Sequence, residues 1–116
     1  MSTVSTMQVP TMTLDDLPGE LPDTLVVLDV REQSEWVHGH IDGAHHIPLS
    51  ELGGRLADVP DDKLLVVCKI GGRSAQAVAW LGAHGHDAYN LAGGMIEWAE
   101  TGRPMVSETG SAPHVV

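Results

Sequence analysis

Cys68 is the only cysteine among 116 residues. It closes an apolar run, Leu64 to Val67, and is followed by Lys69, Ile70, Gly71, Gly72, Arg73 and Ser74. Packing alone explains a cysteine at the end of an apolar run. It does not explain two glycines and two cations directly behind it. Gly71 and Gly72 permit positive φ and carry no side chain, so successive backbone N–H groups can converge on one point. A helix beginning there adds its unpaired N–H groups and the positive end of its dipole. The object at that focus is the Cys68 sulfur or an atom attached to it. Such surroundings lower a thiol pKa and turn the thiolate into a nucleophile.

For this to work, a strand must deliver Cys68 and a helix must start by Arg73. "KLLVV" (63–67) is a short buried-type strand, and "RSAQAVAWLGAHG" (73–85) is an alanine-rich helix ended by Gly82 or Gly85. The same alternation runs through the chain. "TLVVLDV" (24–30) is a strand that carries Asp29 and Arg31 to its carboxyl end, followed by a short helix, "EQSEWVHG" (32–39). "GAHHIP" (43–48) contains a strand, and "SELGGRLADV" (50–59) a helix capped by Ser50 and weakened by Gly53 and Gly54. "DAYNL" (87–91) and "GGMIEWAETG" (93–102) are the last strand and helix, and "TLDDL" starts a short helix at a Thr13 cap. This order predicts an α/β domain with a mainly parallel sheet covered on both faces. Ligands of such sheets bind beyond the carboxyl ends of the strands, where Cys68, Asp29 and Arg31 fall. The boundaries are a flexible N-terminus over 1–7, one domain over 8–104 and a tail over 105–116.

Composition narrows the function. A formal charge of −10 makes nucleic acid or an anionic membrane surface a poor partner. Two of the six basic residues nonetheless sit in the turn after Cys68. No apolar run nears the ~18 residues of a membrane span, and the N-terminus has no basic region followed by an apolar core. The reading is a soluble, cytoplasmic protein. A single cysteine cannot form an internal disulfide, a dithiol redox pair or a thiolate zinc site. The histidine pairs His38/His40, His45/His46 and His84/His86 match no tight ligand set, so no metal is expected. His40 suits a ring hydrogen bond that holds a loop.

Two cysteine chemistries use a loop of this kind. Cysteine phosphatases place a histidine before the cysteine and an arginine six positions after it. Here Val67 precedes Cys68 and Arg73 follows five positions on. The loop is one residue short for a tetrahedral phosphate. A tighter ring of N–H groups suits a smaller anion, the terminal sulfur of a persulfide, Cys–S–S⁻.

At this point the chain resembles the rhodanese-like single-domain sulfurtransferases. "LDVREQSEWVHGHIDGAHHIP" is similar to the family's first signature, through Asp29, Arg31, Glu35, Gly39, His40, Ile41, Gly43, Ala44 and Pro48. "VVCKIGGRSA" resembles its active-site loop. "NLAGGMIEW" with "TGRP" resembles its closing signature, through Gly93, Gly94, Trp98, Gly102 and Pro104. The resemblance implies a five-stranded, mainly parallel sheet with helices on both faces. It also implies a Cys68 persulfide cradled by the amides of residues 69–73. Many relatives carry arginine then serine or threonine where this chain has Lys69 and Ile70, and an aromatic residue where it has His86. Lys69 keeps the charge without the planar fork of arginine, and Ile70 makes the rim apolar.

The expected function is therefore sulfur transfer without a cofactor. Cys68 is the nucleophile, Lys69, Ile70, Gly71, Gly72 and Arg73 bind substrate, and Asp29, Arg31 and Ser74 support the site. Asp29 is expected to accept backbone or loop donors, Arg31 to pair with Glu35, and Ser74 to support the helix start. Thiosulfate or a persulfide is the donor; cyanide, a thiol or a protein is the acceptor. A sulfur-relay module, an arsenate or phosphate-ester enzyme and a non-catalytic binding domain are the competing readings.

Overall fold

A computed structural model describes residues 9–116; the N-terminus expected to be flexible (1–7) lies outside the described residues. Five strands form one sheet: β1 (Thr11–Met12), β2 (Leu25–Asp29), β3 (His45–His46), β4 (Lys63–Val67) and β5 (Ala88–Leu91). Their order across the sheet is β1-β5-β4-β2-β3, and every pairing is parallel. The helices are α1 (Gln33–Trp36), α2 (Leu49–Leu52, continued by a 3-10 stretch Gly53–Asp58), α3 (Gly72–Ala83) and α4 (Gly94–Glu100). Among the described residues no helix is long and apolar enough to cross a membrane.

Strand periodicity sorts the core into two halves. Leu64, Val66 and Cys68 join Leu28 and Val30 against Leu52, Ala77, Val78 and Leu81 of α2 and α3. Leu65 and Val67 join Val27 and Leu91 against Met95 and Trp98 of α4. Cys68 thus continues the alternation of β4 by one step and points to the α3 face. Leu64 to Val67 are all fully buried, as a central parallel strand covered on both sides must be.

The weaker elements differ from their sequence expectation in instructive ways. β1 is an edge strand of two residues held by Asn90 N–H to Pro10 O at 2.8 Å and Ala92 N–H to Met12 O at 2.9 Å. Two residues carry no detectable period. The helix expected over 50–59 begins instead at Leu49, behind Pro48, and tightens to 3-10 at the glycine pair. Residues 105–116, expected as a tail, fold back on the segment after α1. His40 and Val106 exchange backbone hydrogen bonds at 2.9 and 2.8 Å, and Trp36 Nε1 donates to Glu108 Oε2 at 2.9 Å. Trp36 is sandwiched between two near-parallel rings, His40 at 3.6 Å and His46 at 4.5 Å. The free nitrogens of those rings donate to carbonyls: His40 Nδ1 to Trp36 O and His46 Nε2 to Arg31 O. Two of the seven histidines are therefore parts of a packed stack.

One ion pair lies wholly inside. Asp29 and Arg31 are both 0% exposed, joined by Arg31 Nη2 to Asp29 Oδ2 at 2.7 Å and Arg31 Nε to Asp29 Oδ1 at 3.0 Å. This corrects the expected Arg31–Glu35 pair. The Arg31 backbone N–H already donates to Asp29 Oδ1, so the side chain folds back on the carboxylate two residues earlier. Arg31 Nη2 also donates to Gly39 O at 2.8 Å, while Nη1 has no partner among the described residues. Among the described residues, Asp29 is the only countercharge in direct contact with the guanidinium. Asp29→Ala is therefore expected to cost about 3–5 kcal/mol, the range for stranding a buried charge. Urea unfolding measures it; a loss below about 1 kcal/mol would show that the pair does not brace the strand end.

Candidate functional site

The site begins where β4 ends. Residues 68–71 turn from the strand into α3, and Gly71, at φ +115°, stands just ahead of the first helical residue. A side chain is strained at that φ, which explains the glycine. The turn brings the Gly71 N–H to 3.1 Å from Cys68 Sγ and the Ser74 hydroxyl oxygen to 3.3 Å. Cys68 is 1% exposed. Burial pushes its thiol pKa up. The Ser74 hydroxyl and the N–H groups of Ser74, Gly71 and Ile70 outweigh that and hold it below the ordinary thiol value. The lowering comes from hydrogen-bond donors, as the glycine turn and helix start foreshadow.

The carbonyls of the same loop point the other way. Met95 N–H donates to Cys68 O at 2.8 Å and Ile96 N–H to Lys69 O at 3.0 Å. These are first-turn amides of α4, which have no partner within their own helix. Gly94, at φ +56°, lets the two segments meet: a Cβ there would lie 2.5 Å from both Cys68 O and Lys69 O. Gly94 thus serves the sulfur loop from beneath, a role no local pattern reveals.

The two cations behind Cys68 differ in standing. Arg73 is bound bidentately by Glu35 of α1, Nη1 to Oε1 at 2.7 Å and Nη2 to Oε2 at 2.9 Å. Its charge is compensated by that carboxylate, which the sequence reading assigned to Arg31. Lys69 makes no ion pair among the described residues. Ile70 is 70% exposed at the loop's crest and forms an apolar lip over the site. Gly72 opens α3 and leaves open space where a side chain would stand. Asp29 and Arg31 sit sealed beside the site, at the end of the neighbouring strand; Asp29 pairs in register with Val67.

Asn90 is the residue that sequence reading misses. It lies on β5, 7% exposed, with Oδ1 accepting from Ser74 Oγ and Nδ2 donating to Gly71 O at 3.2 Å. An asparagine inside a buried strand is uncommon, and that was the available signal. Among the described residues no group of three or more His, Cys, Asp or Glu gathers as a metal site.

This fold has clear counterparts among known proteins. The rhodanese-like domain model matches residues 13–101. The chain belongs to the rhodanese-like family. A sulfurtransferase of Allochromatium vinosum is 35% identical over 100 residues, which cover 83% of this chain and 94% of that protein. The probable adenylyltransferase/sulfurtransferase MoeZ of Mycobacterium tuberculosis is 44% identical over 84 residues; the match covers 69% of this chain and 21% of that protein. The chain thus spans about a fifth of this much longer relative. The crystal structure of a rhodanese-related protein from Thermoplasma volcanium superposes with a TM-score of 0.78 at 36% identity, covering 84% of this chain and 97% of that one.

The Glu35–Arg73 pair makes a sign-definite prediction. The hydrogen bonds from Arg73 come first among the causes that lower the Glu35 carboxyl from 4.5 to about 2. A carboxylate depressed on folding stabilises the protein fully above its unfolded value, and that stabilisation is lost as pH falls through the folded value. Between pH 4.5 and 2 the wild type should therefore lose thermal stability faster than Glu35→Gln, and above pH 5 it should be the more stable of the two. Tm against pH for both proteins checks this; parallel curves would show that the pair contributes nothing.

Proposed function

We propose that this protein is a sulfurtransferase that works through a persulfide on Cys68. The Cys68 thiolate attacks the outer sulfur of thiosulfate, a new S–S bond forms, the sulfur–sulfur bond of thiosulfate breaks, and sulfite leaves with the electron pair. The product is Cys68–S–S⁻. A thiolate or cyanide then attacks the outer sulfur, and Cys68 leaves as the thiolate it began as. The cycle balances without any redox cofactor.

The observation that carries this reading is the convergence of N–H and O–H donors on one buried sulfur at the end of a parallel strand. The backbone N–H of Gly71, already in place, favours charge on sulfur without reorganising in the reaction, and the Ser74 hydroxyl stands within reach to join it. Ile70, Gly71 and Gly72 form the turn that receives the outer sulfur. Lys69, without an ion pair among the described residues, is the cation for an anionic donor. Arg73, tied to Glu35, holds the loop's flank. Asp29 and Arg31 brace the adjoining strand end. The names of the relatives, sulfurtransferases among them, support the same class.

A protein acceptor is the second reading for the second half-reaction. The exposed Ile70 favours it, because an apolar side chain at the mouth suits a protein surface better than a small hydrophilic thiol. A phosphatase reading loses ground, since Arg73 is already committed to a carboxylate and stands five positions after the cysteine.

Thiocyanate formation from thiosulfate and cyanide tests the proposal. Wild-type protein should turn over, and Cys68→Ser should be inactive while keeping its Tm. Lys69→Ala should lower kcat/KM for thiosulfate about three- to tenfold, the effect of one partly exposed charge, and spare a neutral persulfide donor. Equal losses with both donors would remove Lys69 from anion recognition, and turnover by Cys68→Ser would sink the mechanism.

A further inference from the structure

The Ser74 hydroxyl stands between two acceptors, Cys68 Sγ at 3.3 Å and Asn90 Oδ1. It owns one proton and cannot serve both. The Asn90 amide decides which one it serves at rest. Asn90 Nδ2 donates to Gly71 O, an atom that can only accept. The NH₂ must therefore face Gly71, and Oδ1 must face Ser74. Oδ1 can only accept as well, so the hydroxyl donates to Asn90 while Cys68 is a thiol, and the thiol S–H is free to donate to Ser74 Oγ. When the thiol proton leaves to solvent, the sulfur becomes a charged acceptor, which a donor favours over a neutral one. The hydroxyl then turns to sulfur, and Asn90 Oδ1 is left buried without its donor, at a cost.

We propose that Asn90 is a positioning residue of the sulfur site, whose amide oxygen competes with Cys68 Sγ for the single proton of Ser74. The inference deepens the proposed function and rests on Cys68 being the reacting thiolate. In a persulfide the charge sits on the outer sulfur and the inner one is neutral, so the hydroxyl returns to Asn90. Ser74 thus swings once in each half-reaction, and Asn90 sets how strongly it is held back. Asn90 is well fixed for this: it pairs in register with Val66 on one side, and its N–H is bound to Pro10 O on the other.

The charged groups around the sulfur stay constant in the test. They are Lys69 in the loop, Arg73 of α3 with Glu35 of α1, and the Asp29–Arg31 pair at the end of β2. α4 brings backbone N–H groups to the loop carbonyls, and β5 brings only the uncharged Asn90. Gly71 also keeps its place without Asn90, because Ala75 N–H donates to the same carbonyl at 3.1 Å.

The ultraviolet absorbance of the Cys68 thiolate, titrated against a Cys68→Ser blank, reads the competition directly. It needs no sulfur donor, so its outcome is separate from whether the protein transfers sulfur. Asn90→Ala frees the hydroxyl for sulfur and should move the titration down by about half a pH unit. In a Ser74→Ala background the same substitution should move nothing. Asn90→Asp keeps an acceptor facing Ser74 and adds charge, so it should move the titration up, and by less when Ser74 is Ala. An unchanged or raised titration in Asn90→Ala, or a downward shift that survives Ser74→Ala, overturns the proposal. Should Asn90→Ala not fold, Asn90→Asp decides alone: equal upward shifts with and without the Ser74 hydroxyl overturn it.

Discussion

The site depends on which way the peptide groups of the turn after β4 face. The N–H of Gly71 is turned toward Cys68 Sγ, with the Ser74 hydroxyl beside it. The carbonyls of Cys68 and Lys69 are turned away, onto Met95 and Ile96 N–H. The two facts are one constraint. A carbonyl without a donor elsewhere would swing toward solvent or toward the sulfur, and a carbonyl oxygen at the sulfur repels an anion. The first turn of α4 supplies those donors because a helix start has N–H groups to spare. Gly94 allows the approach, and Trp98, 2% exposed and bonded through Nε1 to Pro104 O, anchors the helix.

Charge then has a smaller part than the sequence suggests. Arg73 and Arg31 are each neutralised by a carboxylate of their own, Glu35 and Asp29. What remains to favour an anion at Cys68 is mostly dipoles: N–H groups preset by the backbone, with the hydroxyl of one serine beside them. Under the proposed function, this is how a chain with a net charge of −10 would hold a negative sulfur. Lys69 is left as the loop's own cation, at the mouth where a donor would arrive.

The strands that bear most burial were legible: β4 has the bounds read from its apolar run, and β2 lies within its own. The Cys68 turn and the start of α3 were legible too, because glycines, a buried strand and a helix pattern are local signals. What was not legible depends on chain segments far apart. Nothing near Arg31 says that it takes Asp29 rather than Glu35, and nothing near Glu35 says that it reaches Arg73, 38 positions on. Gly93 and Gly94 read as a helix boundary; only tertiary contact reveals that Gly94 lets α4 sit under the loop. Asn90 reads as a strand residue until Ser74 is beside it. The segment 105–116 has no period, and its backbone bonds to residues 37–40 follow from the shape of the finished domain.

The central claim is that this ring of donors holds a persulfide anion on Cys68. Intact-protein mass spectrometry after incubation with thiosulfate tests it most directly, since Cys68 is the sole thiol and no second cysteine can collapse the product into an internal disulfide. The prediction is a gain of one sulfur atom in the wild type, lost again on adding cyanide, and no gain in Cys68→Ser. Wild-type protein that never gains that mass, with thiosulfate or with a persulfide donor, would contradict the claim.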